Sequence, residues 1–355
     1  MPTEKDPASP PPSHVPPAAP PGVYFLAPPP KPGLISRFRS WVLLSLLMAS
    51  LAFNFGMVAS YKEYFSEADG PSEKYHSGDR LAKEKVAIIR VSGTIMPPFT
   101  RRVIQAIEKA RDDDQVKGVI LAVNSPGGLV TDSHQIYHRL RQLSEKKPIY
   151  VSMGSMAASG GVYVAMGAGP SAKIFGEPTT WTGSIGVIIP HYEVAELAEK
   201  IGVRAAPLKT GEFKDALSPF RPLTDRDKAL WDDIMNQSFE QFLQVIDDGR
   251  EKLNLEQVRA LATGQIYTAR DAKANGLIDE IGYEEDAIDA LKQKLGLTKT
   301  RIVSYHTPLT LVDALLGSAQ ARDSREQWQT LVDATVPRAM YFCSWGQFLP
   351  IPGSE

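Results

Sequence analysis

Gly118-Val119-Ile120-Leu121-Ala122-Val123-Asn124-Ser125-Pro126-Gly127-Gly128 is a short apolar run that stops abruptly at a proline and two glycines. Six apolar or small residues followed by turn formers read as a buried strand, because a helix of that length would be a single isolated turn or two. The pattern continues outward in both directions. Upstream, Val86 to Val91 reads as a strand and Arg101 to Arg111 as an amphipathic helix; downstream, Leu129 to Leu143 reads as a helix and Ile149 to Met153 as another strand. Strand, helix and strand in alternation are the grammar of a parallel sheet, so the fold class is α/β.

A second turn repeats the design of the first. Met156-Ala157-Ala158-Ser159-Gly160-Gly161 follows a strand and opens an expected helix from Ala157 to about Ala168. Glycine-containing loops between a strand and a helix leave backbone N–H groups free to face a ligand or a developing negative charge. Further along, a helix is expected near Glu193 to Ile201, strand-like sequence from Val203 to Lys209, and a long helix from Thr224 to about Leu253; Gly276-Leu277-Ile278-Asp279 ends another α/β connection.

The rest of the chain divides by composition. Residues 1–35 hold thirteen of the 28 prolines and read as an extended, solvated, disordered tail. Residues 36–61 read as a transmembrane signal anchor: Trp41 to Ala59 is interrupted only by Ser45, Ser50 and Asn54 among polar residues, and about 20 helical residues cover a hydrocarbon core of ~30 Å. Arg37 and Arg39 precede this run, whereas Glu63, Glu67 and Asp69 follow it, so the positive-inside rule puts the N-terminus in the cytoplasm and the remainder across the inner or plasma membrane. Residues 62–84 read as a linker, 85–297 as the α/β domain and 298–355 as a C-terminal extension. The extension includes the apolar Met340-Tyr341-Phe342-Cys343-Ser344-Trp345, for which core packing is the preferred reading.

Lys plus Arg total 39 and Asp plus Glu 41, a net charge of −2 that gives no general electrostatic case for nucleic acid. Cys343 is the sole cysteine, which excludes an intrachain disulfide and a thiolate metal cluster.

Ser159 occupies a plausible nucleophile position, between small residues at a strand-to-helix turn, although a serine there is more often a helix cap. The Gly127-Gly128 turn, one strand and one helix earlier, can offer an N–H to the same region, because neighbouring parallel strands gather their C-terminal loops. The base is harder to find. His134 and His138 are an i, i+4 pair with no third metal ligand in view, and His191 and His306 lack a motif. A desolvated lysine can serve instead, and Lys209 and Lys214 are equal candidates on composition.

Taken in series, Asn124-Ser125-Pro126-Gly127-Gly128, Met156 through Gly161, Thr182-Gly183-Ser184-Ile185-Gly186 and Lys209-Thr210-Gly211-Glu212-Phe213-Lys214-Asp215 resemble the signal peptide peptidase A (SppA, protease IV) family. Ser218 through Thr224 and Gly264 through Asp279 add to the likeness, which covers roughly Lys85 to Leu297. The resemblance implies a ClpP/crotonase-like core of repeated βαβ units with an N-terminal transmembrane helix, and a serine–lysine dyad. Ser159 is then the nucleophile, Lys214 the general base and Ser184 the serine that positions the lysine. The implied oxyanion hole uses backbone N–H groups of Gly127-Gly128, foremost Gly128, and of Ser159 itself. No metal or organic cofactor is required.

One copy of the motifs, carrying both dyad residues, resembles the short membrane-anchored form, whose dyad can be completed by neighbouring subunits of a dome or ring. The implied activity is hydrolysis of cleaved signal peptides and other apolar, extended peptides at the bilayer. The alternatives are a catalytically silent membrane scaffold of the same fold and a crotonase-type acyl-CoA enzyme.

Overall fold

A computed structural model describes residues 34–65, 71–306 and 339–342. Cys343 and nearly all of the proline-rich tail lie outside these residues. The chain divides into two compact units, 1–66 and 67–355.

The described part of the first unit is one helix, α1 (Leu34–Phe65). Its stretch Trp41–Val58 is long and apolar enough to cross a membrane, contains no Asp, Glu, Lys or Arg, and none of it is buried. At 1.5 Å per residue that stretch alone measures about 27 Å.

The second unit is built on a mostly parallel sheet. It begins with β1 (Ser72–Gly78) and β2 (Lys85–Ser92), followed by α2 (Phe99–Asp112), β3 (Val116–Ser125), the short β4 (Gly127–Leu129) and α3 (Val130–Ser144). Next come β5 (Ile149–Ala158), α4 (Gly160–Ala165), β6 (Ile174–Gly176), β7 (Trp181–Gly183), α5 (Ala195–Lys200) and α6 (Asp225–Gly249). The order ends with α7 (Leu255–Leu261), β8 (Ile266–Thr268), α8 (Ala269–Ala274), β9 (Glu280–Ile281), α9 (Glu284–Leu295), β10 (Arg301–His306) and β11 (Met340–Phe342). The main sheet runs β1-β10-β2-β3-β5-β6-β9; β7 pairs with β5 and β8, while β11 pairs with β4 in a small separate sheet. From β10 to β9 the neighbouring strands are parallel, and β1 closes one edge in antiparallel fashion.

Period-two alternation explains why both faces are covered. Ala87, Ile89 and Val91 of β2, with Val119, Leu121 and Val123 of β3, face a core shared with α2, α3, α4 and α6. Val86, Ile88, Ile120 and Ala122 face the opposite way and pack under Ala287, Ile288 and Leu291 of α9. A strand buried on both faces needs apolar residues at every position, as the opening run shows.

Four readings change. The stretch taken as a linker contains β1, which pairs with β10, and the stretch taken as an extension contains β10, which sits beside β2. The sheet therefore extends past both expected domain limits, because pairing distant in sequence leaves no local trace. The strand expected to stop at Met153 runs to Ala158: the Asn124 carboxamide oxygen accepts from Ser155 Oγ (2.9 Å) and Met156 N–H (3.2 Å), and Met156 to Ala158 pair with β7. Helix begins only at Gly160. The strand-like Val203–Lys209 forms no strand. Val203 N–H instead closes the end of α5 on the Ala198 carbonyl (2.8 Å), and these residues are exposed. The long helix does start where expected, with Thr224 as its cap in a reciprocal capping box with Asp227.

The Gly276 to Asp279 connection is fastened by charge. Asp279 accepts a two-pronged bond from Arg250 (2.8 and 2.9 Å), another from Lys252 (2.9 Å), and one from Ile174 N–H (2.9 Å) at the start of β6. Burial works to raise the Asp279 pKa, but these donors overcome it and hold the value down at about 2. A carboxylate depressed below its unfolded value of about 3.9 stabilises the fold above that value, and the contribution is lost as pH falls toward 2. Urea unfolding of the solubilised chain should therefore show stability falling between about pH 5 and pH 2, with a shallower fall in Asp279→Asn. Arg250→Ala, which removes the two-pronged bond but leaves Lys252 and Ile174 N–H on the carboxylate, should cost about 2–3 kcal/mol at neutral pH.

Candidate active site

The ends of β3 and β5 bring the two glycine turns together. At the end of β3, Ser125 is fully buried, and its hydroxyl donates to the Gly93 carbonyl (2.6 Å) while accepting from Gly127 N–H (3.1 Å). Gly127 has φ +103°, a conformation open to glycine but strained for other residues. A Cβ at Gly127 would lie 2.7 Å from the Gly160 nitrogen and would collide with the Tyr341 carbonyl oxygen. One at Gly160 would lie 3.1 Å from both Gly127 Cα and Gly128 N. Two backbones approach here as closely as side-chain-free residues permit.

Ser159 sits at the junction of β5 and α4 with φ 54° and ψ −113°. It is fully buried, and its Oγ has no hydrogen-bond partner among the described residues. A positive φ on serine and an orphaned buried hydroxyl are two unfavourable features at one residue. Ser184 lies alongside: Ala158 pairs with Gly183, Ser159 N–H donates to the Gly183 carbonyl (2.7 Å), and Ser184 N–H donates to the Gln265 carbonyl (2.6 Å). Ser184 also has positive φ, 51°. Two adjacent strands thus deliver two strained serines side by side.

The expected oxyanion donors need one correction. The N–H of Ser159 is committed to the Gly183 carbonyl and cannot also face an oxyanion. The N–H of Gly160, in the first turn of α4, has no acceptor among the described hydrogen bonds, as expected for an N-terminal helical amide. Sequence spacing could not reveal this, because the choice depends on which way one peptide plane turns.

Lys214 lies in a single 3-10 turn, Glu212–Asp215, and is exposed. Among the described residues its ammonium makes no hydrogen bond or ion pair, and none joins it to Ser159 or Ser184. Lys209 differs: its Nζ pairs with Asp215 (2.7 Å) and donates to the Glu212 carbonyl (3.0 Å). Asp215 also accepts from Arg221 (3.0 Å), which reaches Asp227 at the start of α6 (2.6 Å). The Lys209 and Arg221 hydrogen bonds hold the Asp215 carboxyl below the usual range. Lys209 thus has an ion-pair partner, whereas Lys214 has none among the described residues.

His134 Nδ1 meets the Tyr163 hydroxyl at 2.7 Å, and burial, with help from His138, lowers the His134 pKa. His138 meets Gln142, and no metal-holding group of His, Cys, Asp or Glu occurs among the described residues. Sequence reading overlooked Gly160, the Gln265 carbonyl behind Ser184, and a buried aromatic cluster of Tyr163, Phe242 and Tyr341. Gln265 falls within a quoted motif, but nothing local points from Tyr341 to this place.

The strain at Ser159 has a measurable consequence. Ser159→Gly removes an orphaned hydroxyl and an unfavourable φ at the cost of added unfolded-state freedom, a net gain of about 1 kcal/mol. Thermal unfolding should place Ser159→Gly above the unsubstituted chain, with Ser159→Ala gaining less; a loss of stability in both would show that Ser159 is not strained.

The model for peptidase family S49 matches residues 141–298, and that for Clp protease matches residues 70–181. A provisionally named signal peptide peptidase SppA of Enterococcus faecium is 32% identical over 320 residues, covering 84% of this chain and 90% of that protein. A provisionally named protease of Synechocystis is 36% identical over 253 residues, covering 71% and 87%. Protease 4 of Haemophilus influenzae is 33% identical over 241 residues, 66% of this chain but 38% of that protein. The parallel sheet is thus a ClpP-like domain, and the chain belongs to the S49 peptidases of the SppA and protease 4 type, a family of serine proteases.

Proposed function

We propose that the chain is a membrane-anchored endopeptidase that cleaves signal-peptide remnants and other extended apolar peptides with a Ser159–Lys214 dyad. The observation that carries this reading is Ser159 itself, a strained and buried serine with an unpaired hydroxyl beside the Gly127-Gly128 turn and the free amide of Gly160. In the proposed cycle, neutral Lys214 takes the Ser159 proton as Oγ attacks the scissile carbonyl. Gly128 and Gly160 N–H groups receive the oxyanion, the leaving amine takes the proton from the lysine, and a water activated by the same amine hydrolyses the acyl-enzyme. Ser184 orients the amine. The apolar α1 supplies the anchor, with the tail in the cytoplasm and the catalytic unit outside it.

An exposed Lys214 needs a partner surface to become desolvated. The segment that carries it exposes Tyr192, Leu197, Ile201, Val203, Leu208, Phe213 and Phe220, an apolar concentration that suits contact with a second copy. The dyad is accordingly proposed to form between neighbouring subunits of a homo-oligomer.

Hydrolysis of a fluorogenic apolar peptide by the detergent-solubilised chain should be abolished by Ser159→Ala and by Lys214→Ala and retained by Lys209→Ala. Mixing the two inactive variants under conditions that exchange subunits should restore turnover, since some interfaces then pair an intact serine with an intact lysine. A mixture that stays inactive despite exchange, or a monomer by light scattering, would refute the shared dyad.

A further inference from the structure

Lys214 stands among carboxylates and, among the described residues, pairs with none of them. Four lie on its own 3-10 turn and on the first turn of α6: Glu212, Asp215, Asp225 and Asp227. Each is held by another cation. Glu212 pairs with Arg226 (2.8 Å), Asp225 with Lys228 (3.8 Å), Asp227 with Arg221 (2.6 Å), and Asp215 with both Lys209 (2.7 Å) and Arg221 (3.0 Å). Glu193 and Glu196 lie on either side of Val194, whose N–H donates to the Pro219 carbonyl (2.7 Å), and neither is ion-paired to the turn among the described residues.

These ties are unequal. The pairs of Glu212 with Arg226 and of Asp225 with Lys228 are exposed, where an ion pair is worth little. Arg221 works under cover: the Asp227 side chain is 2% exposed and that of Asp215 12%. One guanidinium fork reaches both carboxylates and also donates to the Pro222 carbonyl (3.0 Å). Asp227 is in turn the acidic half of the capping box, accepting from Thr224 N–H (3.0 Å) and Thr224 Oγ1 (2.8 Å). Arg221, with the Thr224 N–H, holds the Asp227 carboxyl well below the usual carboxylate range. The start of α6 is therefore a fixed post, and Arg221 fastens Asp215 to it. Lys209 and Arg221 bond the same Asp215 oxygen, Oδ1. A carboxylate next in sequence to a lysine is otherwise a ready counter-ion, and pairing favours the charged amine that a general base cannot use.

We propose that Arg221 is a positioning residue for the general base: by clamping Asp215 to the capping box of α6, it withholds the adjacent carboxylate from Lys214 and fixes the turn that presents the amine. Arg221 acts through Asp215 and takes no part in the bond changes. The proposal rests on the reading of Lys214 as the base.

Profiles of kcat/KM against pH, measured with a fluorogenic apolar peptide on the full-length, detergent-solubilised chain, test it. Arg221→Gln/Asp227→Asn neutralises the covered pair together, so no buried charge is stranded, and the introduced Asn carboxamide oxygen can still accept from Thr224 N–H. Asp215 then keeps only Lys209 and can turn toward Lys214. The acid limb should move to higher pH by about 0.5–1, about a three- to tenfold loss of hydrolysis below the limb, with the alkaline plateau kept. Adding Asp215→Asn should return the limb, because the responsible carboxylate is gone. A merely structural Arg221 would lower thermal stability and the active fraction at every pH while leaving the limb in place. That outcome, or a moved limb that Asp215→Asn does not return, overturns the proposal. Asp215→Asn alone covers the case in which the double variant does not fold. It leaves Lys209 and Arg221 unbalanced near the amine and should move the limb to lower pH; an unmoved or raised limb overturns the proposal. Hydrolysis that survives Lys214→Ala refutes the base assignment instead, and a chain with neither hydrolysis nor labelling of Ser159 by a serine-directed phosphonate refutes the peptidase reading.

Discussion

Close approach of two backbones, Gly127-Gly128 after β3 and Ser159-Gly160 after β5, is the constraint on which the site depends. A Cβ at Gly127 or Gly160 would drive the turns apart. The parallel sheet makes the approach possible, since β3 and β5 are adjacent and both end at the same edge. The doubly covered core then holds the strands in place. Apolar residues on both faces of β2 and β3 leave little room for a register slip, and Asn124 and Ser125 tie the first turn to its neighbours through side-chain bonds.

Strain at Ser159 and Ser184 follows from the same constraint. Each serine is the first residue past a paired strand end, and each has its N–H bonded across to the neighbouring segment of the sheet. The backbone must turn sharply there, so φ becomes positive although the residue is not glycine. Such strain persists only where surrounding structure over-determines it, and it is concentrated at functional turns. The lysine-bearing segment shows the contrary design. It has apolar side chains in solvent and is anchored through Asp215 and Arg221 to the start of α6, and Lys214 has no ion-pair partner among the described residues.

Much of the fold was legible from local pattern. The buried strands, the helices after each glycine turn and the start of α6 at Thr224 each follow from periodicity or capping chemistry, and a few residues suffice to decide them. The site was legible in part. Ser159, Ser184 and the glycine pair stand in recognisable turns, whereas Lys214 gained its distinction from Lys209 only through resemblance and then through the Asp215 ion pair. Gly160 rather than Ser159 offers an uncommitted N–H among the described residues, because a single peptide orientation, invisible in composition, assigns the Ser159 N–H to the sheet.

By itself the sequence determined the α/β class, the apolar segment before the catalytic unit, and the turn residues from which a hydrolase can be built. Those are matters of side-chain type at short spacing. Tertiary structure alone decided that β1 and β10 belong to the sheet, that Tyr341 meets Tyr163 and Phe242, and that residues 339–342 lie across Gly128. Pairing between strands separated by more than two hundred residues is specified by the complementarity of edges that exist only after folding, so no window of sequence contains it.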